Sequence, residues 1–155
     1  MNKAFADLLT ARLIEITQDL RFFHKPSGIL KAPQVVGTML SEKDRSYQEG
    51  DEFPLVRWAA HQGVFTFKAS ASFAVILDGG IYTDGDIAAG TADIAALTMA
   101  LGKITDKPWF QPYKLSNRVP FQLGSPEKNS LGIQPHPYYF TRLNLEFVVA
   151  RGHGG

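Results

Sequence analysis

The sequence predicts an α+β domain: a mainly antiparallel, mixed β-sheet with two α-helices packed on one face. Residues 64–78 and 138–150 alternate apolar and polar side chains with the period of a half-buried strand. Residues 4–21 and 91–104 repeat apolar side chains at the three-and-four spacing of a helix against a core. The order helix, strands, helix, strands favours antiparallel hairpins, since a doubly wound sheet needs several strand–helix alternations and only one is visible.

Length and composition place these elements in a single domain over residues 1–155. Of the 155 residues, 45% are hydrophobic and 20% charged, which is the ordinary globular range. The absence of cysteine excludes structural disulfides, thiolate metal sites and cysteine nucleophiles. No signal-peptide core is visible and no apolar run approaches transmembrane length. We therefore expect a protein that is cytoplasmic or assembled from the cytoplasm, without a membrane partner.

The first element is a helix over residues 4–21, which Asn2 can cap. The Pro-Ser-Gly sequence at 26–28 ends it, because proline removes a backbone donor and glycine relaxes the chain. Residues 34–39 predict one short strand. The polar run at 41–52 predicts an exposed, flexible loop, and the glycine-rich residues 151–155 predict a frayed tail.

The long strand at 64–78 is the central element of the predicted sheet. Residues 53–60 are extended and turn into it at 61–63, which makes the two an antiparallel pair. At roughly 3.3 Å per residue it would run about 50 Å, whereas a chain of this size has a radius of gyration of about 15 Å. We expect it either to bend at the small side chains of residues 69–72 or to project beyond the body. Gly79 and Gly80 then break it, with a short continuation after a bulge.

The second helix follows an acidic turn, and Thr91 can serve as its N-cap. Residues 113–123 predict one interrupted edge strand, because Pro120 cannot donate to a central ladder, and residues 124–137 predict a turn-rich connection. The closing strand at 138–150 presents two faces. Its inward side chains are Tyr139, Thr141, Leu143, Leu145, Phe147 and Val149, and its outward side chains are Tyr138, Phe140, Arg142, Asn144 and Glu146.

No stretch carries a catalytic or cofactor-binding signature. The glycines near residue 80 lack the Gly-Lys-Ser/Thr ending of a phosphate loop and lie among acids that would repel an anion. Asp78, Asp84, Asp86 and Asp93 could gather around a hard cation. However, Ile-Ala-Ala follows the Asp-x-Asp pair where further ligands would be needed, and a turn capped by its own aspartates explains the same residues. We therefore expect no catalytic residue, no cofactor and no metal.

The charge distribution indicates self-association. A formal net charge of +1 combines acidic stretches at 41–52 and 78–93 with a basic excess from Lys103 onward. Opposite poles can attract neighbouring copies and steer their association, although separate solvated loops explain the same pattern. Overall neutrality argues against specific nucleic-acid binding, which favours a continuous basic face.

The middle of the chain combines a series of motifs in a fixed order. They are Phe53-Pro54-x-x-Arg57, the long alternating strand, Gly79-Gly80-Ile81-Tyr82, the acidic turn, and Gly90-Thr91-Ala92-Asp93-Ile94-x-x-Leu97 entering a helix. This series resembles the tail terminator proteins (tail completion, minor tail protein U-like) of long-tailed bacteriophages and prophages. The resemblance covers most of residues 4–150 and departs from the family at the acidic insertion 41–51 and the proline-rich stretch 108–137.

The resemblance implies a structural protein rather than an enzyme. Such proteins form a ring, commonly a hexamer, that caps the tail tube, stops its polymerisation and offers a surface to the head–tail connector. The implied location is the virion tail, assembled in the bacterial cytoplasm, with DNA passing through the ring without specific recognition. Two alternatives remain open: another neck or head–tail joining subunit, and a small metal-dependent enzyme that uses Asp78, Asp84 and Asp86.

Seven residues are the candidates for contacts between copies or with the tail tube. They combine the acidic loop, the acidic turn and the arginine of the Phe-Pro-x-x-Arg motif. We expect them to be Glu42, Lys43, Asp44, Arg45, Arg57, Asp84 and Asp86.

Overall fold

The computed structural model describes residues 3–39, 52–60, 70–118, 121–125, 130–131 and 133–150, and it confirms the predicted α+β class. A short 3-10 helix, Lys103–Thr105, extends the second α-helix. In chain order the other elements are α1 (Lys3–Thr17), β1 (Phe22–His24), β2 (Ile29–Lys31), β3 (Gln34–Met39), β4 (Leu55–Ala60), β5 (Ser70–Tyr82), α2 (Ile87–Gly102), β6 (Tyr113–Arg118), β7 (Gln122–Ser125), β8 (Ser130–Leu131) and β9 (Tyr138–Ala150).

Seven of the described strands form one mixed sheet. Their order is β3-β4-β5-β9-β7-β8, and β6 also pairs with β9. β3 and β4 are parallel and the other pairs are antiparallel, so the sheet is mainly antiparallel as predicted. Both helices pack on one face of this sheet, and β1 and β2 form a separate antiparallel hairpin.

Helix α1 confirms the first predicted helix but ends at Thr17 instead of residue 21. Its buried side chains, four residues apart, form one stripe: Phe5, Leu9, Leu13 and Thr17. After the helix, the Arg21 guanidinium donates to the carbonyls of Gln18 and Leu20, and β1 begins at the next residue. Residues 26–28 therefore form the turn of the β1–β2 hairpin and do not end the helix.

Helix α2 begins at Ile87, because Asp86 is its N-cap. The Asp86 carboxylate accepts a hydrogen bond from the Ala89 backbone N–H at 2.9 Å. The prediction that placed the cap at Thr91 is wrong, since Asp86 is extended and is followed by alanines that already favour helix. The predicted apolar stripe is buried as expected: Ile94, Leu97, Leu101 and Ile104.

The helical stretch Ile87–Thr105 is 19 residues long and, by length and composition alone, apolar enough to cross a membrane. This corrects the expectation that no run reaches such a length. In the described fold 33% of its apolar window is buried, and α2 packs against β5 and β9. A core helix of a soluble protein meets the same two criteria.

Strands β5 and β9 pair over all 13 residues of each strand, from Ser70 opposite Ala150 to Tyr82 opposite Tyr138. The prediction that Gly79 and Gly80 break the strand is wrong, because the ladder passes through both without a register shift. Both glycines instead allow close packing. A Cβ on Gly79 would lie 2.9 Å from a methyl of Leu97, and one on Gly80 would lie 2.6 Å from the Phe53 ring.

The described part of β5 has neighbours on both sides. The last described pair with β4 is Ala60 opposite Val75, and residues 70–74 of β5 continue in register with β9. β6 pairs with β9 along the same end, at residues 145–149. The bend or projection expected for the long strand falls where β5 joins residues outside the described ranges, so it stays a prediction. The predicted loop at 41–51, the turn and first strand residues at 61–69, and the tail at 151–155 lie outside the described residues.

The interrupted edge strand predicted at 113–123 is two strands that share one partner. β6 pairs with the second half of β9, with a register shift between Leu115 and Asn117. β7 pairs with the first half of β9, at Arg142 and Thr141. Because β9 is long enough to accept both, it lies between β5 on one side and β6 and β7 on the other.

An aromatic cluster fixes α1 on the inner face of the sheet. The Phe5 ring lies 4.9 Å from Phe147 and 5.4 Å from Phe73, both edge to face. It also stacks at 5.1 Å on Trp109. Farther along α1, the Trp58 indole N–H donates to the Thr10 hydroxyl at 2.8 Å, which ties the helix to β4.

Gly90 of α2 provides a sharp test of this packing. Its Cα faces the ring of the buried Tyr139 so closely that a Cβ would overlap the ring. We expect Gly90→Ala to lower the free energy of unfolding by about 1–3 kcal/mol, although alanine is the better helix former. Urea titration followed by circular dichroism measures the change.

Gly102 of the same helix is the matched control. A Cβ there would meet the Phe121 ring at 3.8 Å, an ordinary contact. Gly102→Ala should therefore be neutral or stabilising by at most about 1 kcal/mol. Equal effects of the two substitutions would contradict the described packing of Gly90 on Tyr139.

Candidate functional site

A row of polar side chains crosses the outer face of the sheet, the face without helices. Arg57 of β4 lies opposite Asp78 of β5, Asp78 lies opposite Arg142 of β9, and Arg142 lies opposite Gln122 of β7. Since side chains alternate along strands, opposite residues share a face. The sequence interpretation had Asp78 as a possible metal ligand, whereas the structure makes it the acid of an ion pair.

The Asp78–Arg142 pair is bidentate and largely buried. The Arg142 Nε donates to Asp78 Oδ1 at 2.6 Å, and Nη2 donates to Oδ2 at 2.9 Å. Only 12% of the Asp78 side chain is exposed. Two parallel charge-assisted hydrogen bonds fix both the distance and the plane of the carboxylate.

Burial raises the pKa of Asp78 above its ordinary value, even though its arginine partners act in the opposite direction. The Arg142 hydrogen bonds and the charges of Arg142 and Arg57 favour the ionised carboxylate. Removal from water favours the protonated form and has the larger effect. The carboxylate therefore depends on its arginine partners to remain charged inside the sheet.

Aromatic side chains cover one end of this outer face. The Phe53 ring packs edge to face against Tyr138 at 5.6 Å and Phe140 at 5.8 Å. The Gln134 side chain both donates to the Phe140 carbonyl and accepts from its N–H, at 2.9 and 2.8 Å. Phe140 lies on the outward face, as predicted, but is only 8% exposed because these groups cover it.

The acidic turn lies where β5 leads into α2. Asp84 and Asp86 are both exposed, but Asp86 is engaged as the helix cap. Burial, and to a smaller extent the charge of Asp84, raises the pKa of Asp93 in the second turn of the helix. Beneath the turn, the Tyr139 hydroxyl lies 2.7 Å from Nδ1 of His136. In this turn the Asp86 carboxylate holds the start of α2.

The predicted contact residues therefore occupy two described places. Arg57 lies in the polar row on the outer face, and Asp84 and Asp86 lie in the turn that starts α2. The remaining four, Glu42, Lys43, Asp44 and Arg45, lie outside the described residues. The sequence interpretation did not assign a role to Arg142, although opposite charges on the outward faces of the two clearest strands were a signal for its pairing with Asp78.

Two of the three aspartates of the metal-dependent alternative are engaged in other contacts. Arg142 holds the Asp78 carboxylate, and the first turn of α2 holds that of Asp86. Within the described ranges, no three His, Cys, Asp or Glu side chains are close enough together to hold a metal ion.

No protein-family model matches the chain, and comparison with curated proteins also gives no match.

The ion pair predicts a pH-dependent loss of stability when Arg142 is removed. Arg142→Met leaves a buried carboxylate without its main partner, so the free energy of unfolding at pH 7 should fall by about 3–5 kcal/mol. In the variant the pKa of Asp78 rises further. As the pH falls through that raised value toward the ordinary aspartate value, the folded carboxyl takes up a proton before the unfolded one does. The deficit relative to wild type should then shrink.

Urea titrations of both proteins at several pH values measure this deficit. Lys107→Met is the control, because it breaks an ion pair with Glu15, at 2.7 Å, in which both side chains are more than half exposed. Its effect should be small at every pH. A deficit for Arg142→Met that is small, or that grows as the pH falls, would contradict the described pair.

Proposed function

We propose that this protein is a structural subunit of a phage or prophage tail. It forms a ring, commonly a hexamer, that caps the tail tube, ends tube polymerisation and presents a surface to the head–tail connector. The proposal rests on the family resemblance, and the observation that carries it is the 13-residue β5–β9 ladder at the centre of the sheet, which is the counterpart of the long alternating strand in that resemblance.

The β5–β9 ladder spans the width of the protein. Its 13 paired residues correspond to about 40 Å at 3.3 Å per residue, which is about the diameter of a compact chain with a radius of gyration of about 15 Å. A rigid sheet of this width can present separate surfaces to two neighbouring copies, as a ring requires.

Several ionisable side chains form hydrogen bonds or ion pairs within the protein, which supports a structural role. Asp78 pairs with Arg142, Asp86 caps α2, and His136 contacts the Tyr139 hydroxyl. His24 contacts the Ser27 hydroxyl at 2.6 Å and Glu52 at 3.1 Å. These groups hold the fold together, whereas a catalytic site would direct several of them at one point in a cleft.

Ring formation is the direct test. Purified protein, or tails from cells that produce it, should show six-fold rings by electron microscopy, with a matching mass in solution. A strictly monomeric protein at high concentration, with no ring on tail tubes, would contradict the proposal. Deleting the gene should give tails of uncontrolled length; normal tails that fail to join heads would indicate the alternative neck subunit.

The acidic turn provides a residue-level prediction. Asp84 is exposed and makes no cap, so Asp84→Lys should weaken assembly by reversing a contact charge while the monomer remains folded. Asp86→Lys would also remove the cap of α2 and cost about 1 kcal/mol of stability. Asp86→Ser is therefore the cleaner variant, because serine keeps a capping oxygen without the charge.

Assembly is measured by sedimentation and folding by circular dichroism. Asp7→Lys, a charge reversal at an exposed position of α1, is the control and should assemble normally. Arg57 is less suitable for reversal than the sequence suggested, since an acid there would stand opposite Asp78 and also disturb the sheet. Normal assembly of Asp84→Lys and Asp86→Ser would remove the acidic turn from the contact surface.

A further inference from the structure

A pocket lies between the segment that follows α2 and the first residues of β6. Its volume is about 340 Å³, at the lower end of the range of roughly 300–1,000 Å³ found for ligand pockets. We call it the lysine pocket, because its described lining contains two lysines and no acid. The lining residues are Thr105, Lys107, Pro108, Trp109, Tyr113, Lys114 and Leu115. Proline, aromatic and leucine surface beside two cations suits an apolar group that carries a negative charge.

The two lysines of the pocket differ in their partners. The Lys107 ammonium pairs with Glu15 of α1 at 2.7 Å. Lys114 is exposed, and no acid among the described residues pairs with it. The neighbouring acids are Asp106, which lines a different groove between α1 and α2, and Glu146, whose carboxylate lies 3.5 Å from a hydroxyl of β6. Lys114 is therefore the charge that the pocket offers to a partner.

The acidic turn carries the chemistry that this pocket lacks. Ile87, the first residue of α2, is 66% exposed, and the exposed Asp84 lies three positions before it. The cation beside this turn, Lys25, is held over the ring of Tyr82 at 5.0 Å. Among the large hydrophobic side chains that the described residues expose, only Ile87 has an acid without a described ion pair within three positions. The combination of an aliphatic group and an unpaired carboxylate thus distinguishes this turn from the other exposed apolar positions.

The acidic turn and the lysine pocket lie at opposite ends of the β5–β9 ladder. The turn follows Tyr82, which is opposite Tyr138 at one end, whereas Tyr113 of the pocket pairs with Val149 near the other end. From Tyr138 to Val149 the strand spans about 36 Å at 3.3 Å per residue. The two surfaces cannot meet within one copy, so each is available to a different neighbour.

We propose that the acidic turn of one copy binds in the lysine pocket of a second copy, with Ile87 against Trp109 and Asp84 beside Lys114. Burial of the aliphatic and aromatic surface would stabilise the contact, and the opposite charges would orient it. The contact is heterologous, so its repetition gives a ring where the rotation closes and a filament where it does not. The inference rests on the proposed function, because it names the partner surface of the acidic turn that the proposed ring uses.

Cysteine trapping tests the contact directly, because the chain has no cysteine. Ala88→Cys and Pro108→Cys are prepared as separate proteins, mixed, and oxidised with glutathione disulfide. Both positions are exposed, and both substitutions keep Ile87, Asp84 and Lys114 in place. We expect the disulfide between the two proteins to form roughly tenfold faster than with a control acceptor, because complementary surfaces raise the rate of encounter.

The control acceptor is Pro26→Cys. Like Pro108, Pro26 is an exposed proline next to a lysine, but it lies in the turn of the β1–β2 hairpin and outside the pocket. Equal rates of cross-linking to the two acceptors would overturn the proposal.

A charge exchange gives an independent measurement. Asp84→Lys in the Ala88→Cys protein, or Lys114→Glu in the Pro108→Cys protein, should each slow the cross-link roughly tenfold at low salt, and the two changes together should restore it. Lys31→Glu, at an exposed lysine outside the pocket, is the matched control and should neither slow the cross-link nor restore it. No effect of the single reversals, or no recovery in the exchanged pair, would overturn the pairing of Asp84 with Lys114.

The outcomes also separate this contact from the ring function. A protein that carries both Ala88→Cys and Pro108→Cys should give covalent closed rings on oxidation. Rapid trapping in open chains that never close would support the contact but contradict the ring. Six-fold rings together with equal trapping rates for the two acceptors would support the proposed function and overturn the contact between the acidic turn and the lysine pocket.

Discussion

The antiparallel ladder between β5 and β9 determines where every other described element lies. β4 adds to the free side of β5, and β6 and β7 share the other side of β9. The inner face of the ladder is apolar, so both helices pack on it. The outer face carries the polar row and the aromatic side chains that pack around Phe53. Because successive side chains point to opposite faces, a slip of one residue would exchange the two faces entirely.

The Asp78–Arg142 pair makes such a slip costly. The two residues are directly opposite each other in the ladder, and in a slipped register one of them would enter the apolar core without its partner. A buried ion pair contributes little to net stability, but an unpaired buried charge costs several kcal/mol. We interpret the pair mainly as a device that selects one register, in the same way that a buried polar residue selects register in coiled coils.

The parts of the fold that depend on local pattern could be predicted from the sequence. The three-and-four spacing of Phe5, Leu9 and Leu13 indicates a helix by itself, and the alternation from Tyr139 to Phe147 indicates which face is buried. Pairing between strands could not be predicted, because β5 and β9 are separated by 55 residues that include a helix. Gly79 and Gly80 could not be interpreted correctly from the sequence for the same reason. By themselves they indicate a strand break, and only the close packing of Leu97 and Phe53 against them explains why glycine lies inside a strand.

The candidate site could also be predicted only in part from the sequence. The resemblance drew attention to Arg57, Asp84 and Asp86, but the sequence did not reveal that Asp86 caps α2 or that Arg57 shares a row with Asp78. The exposure of Ile29 and Leu30 in the β1–β2 hairpin was also not visible in the sequence. Ile29 and Leu30 are ordinary core residue types, and their exposure follows only from how the hairpin stands on the body.

The order of the two central strands has a consequence for biosynthesis. β5 is complete once residue 82 has left the ribosome, but its partner β9 is finished only at residue 150. Until then the inner face of β5 lacks the strand that completes the sheet, and α2 packs on only part of its surface. Long-range pairing of this kind delays folding, so the nascent chain carries an apolar strand without its partner through almost half of its synthesis. The topology therefore requires that α1 or a chaperone protect that strand until β9 has been synthesised.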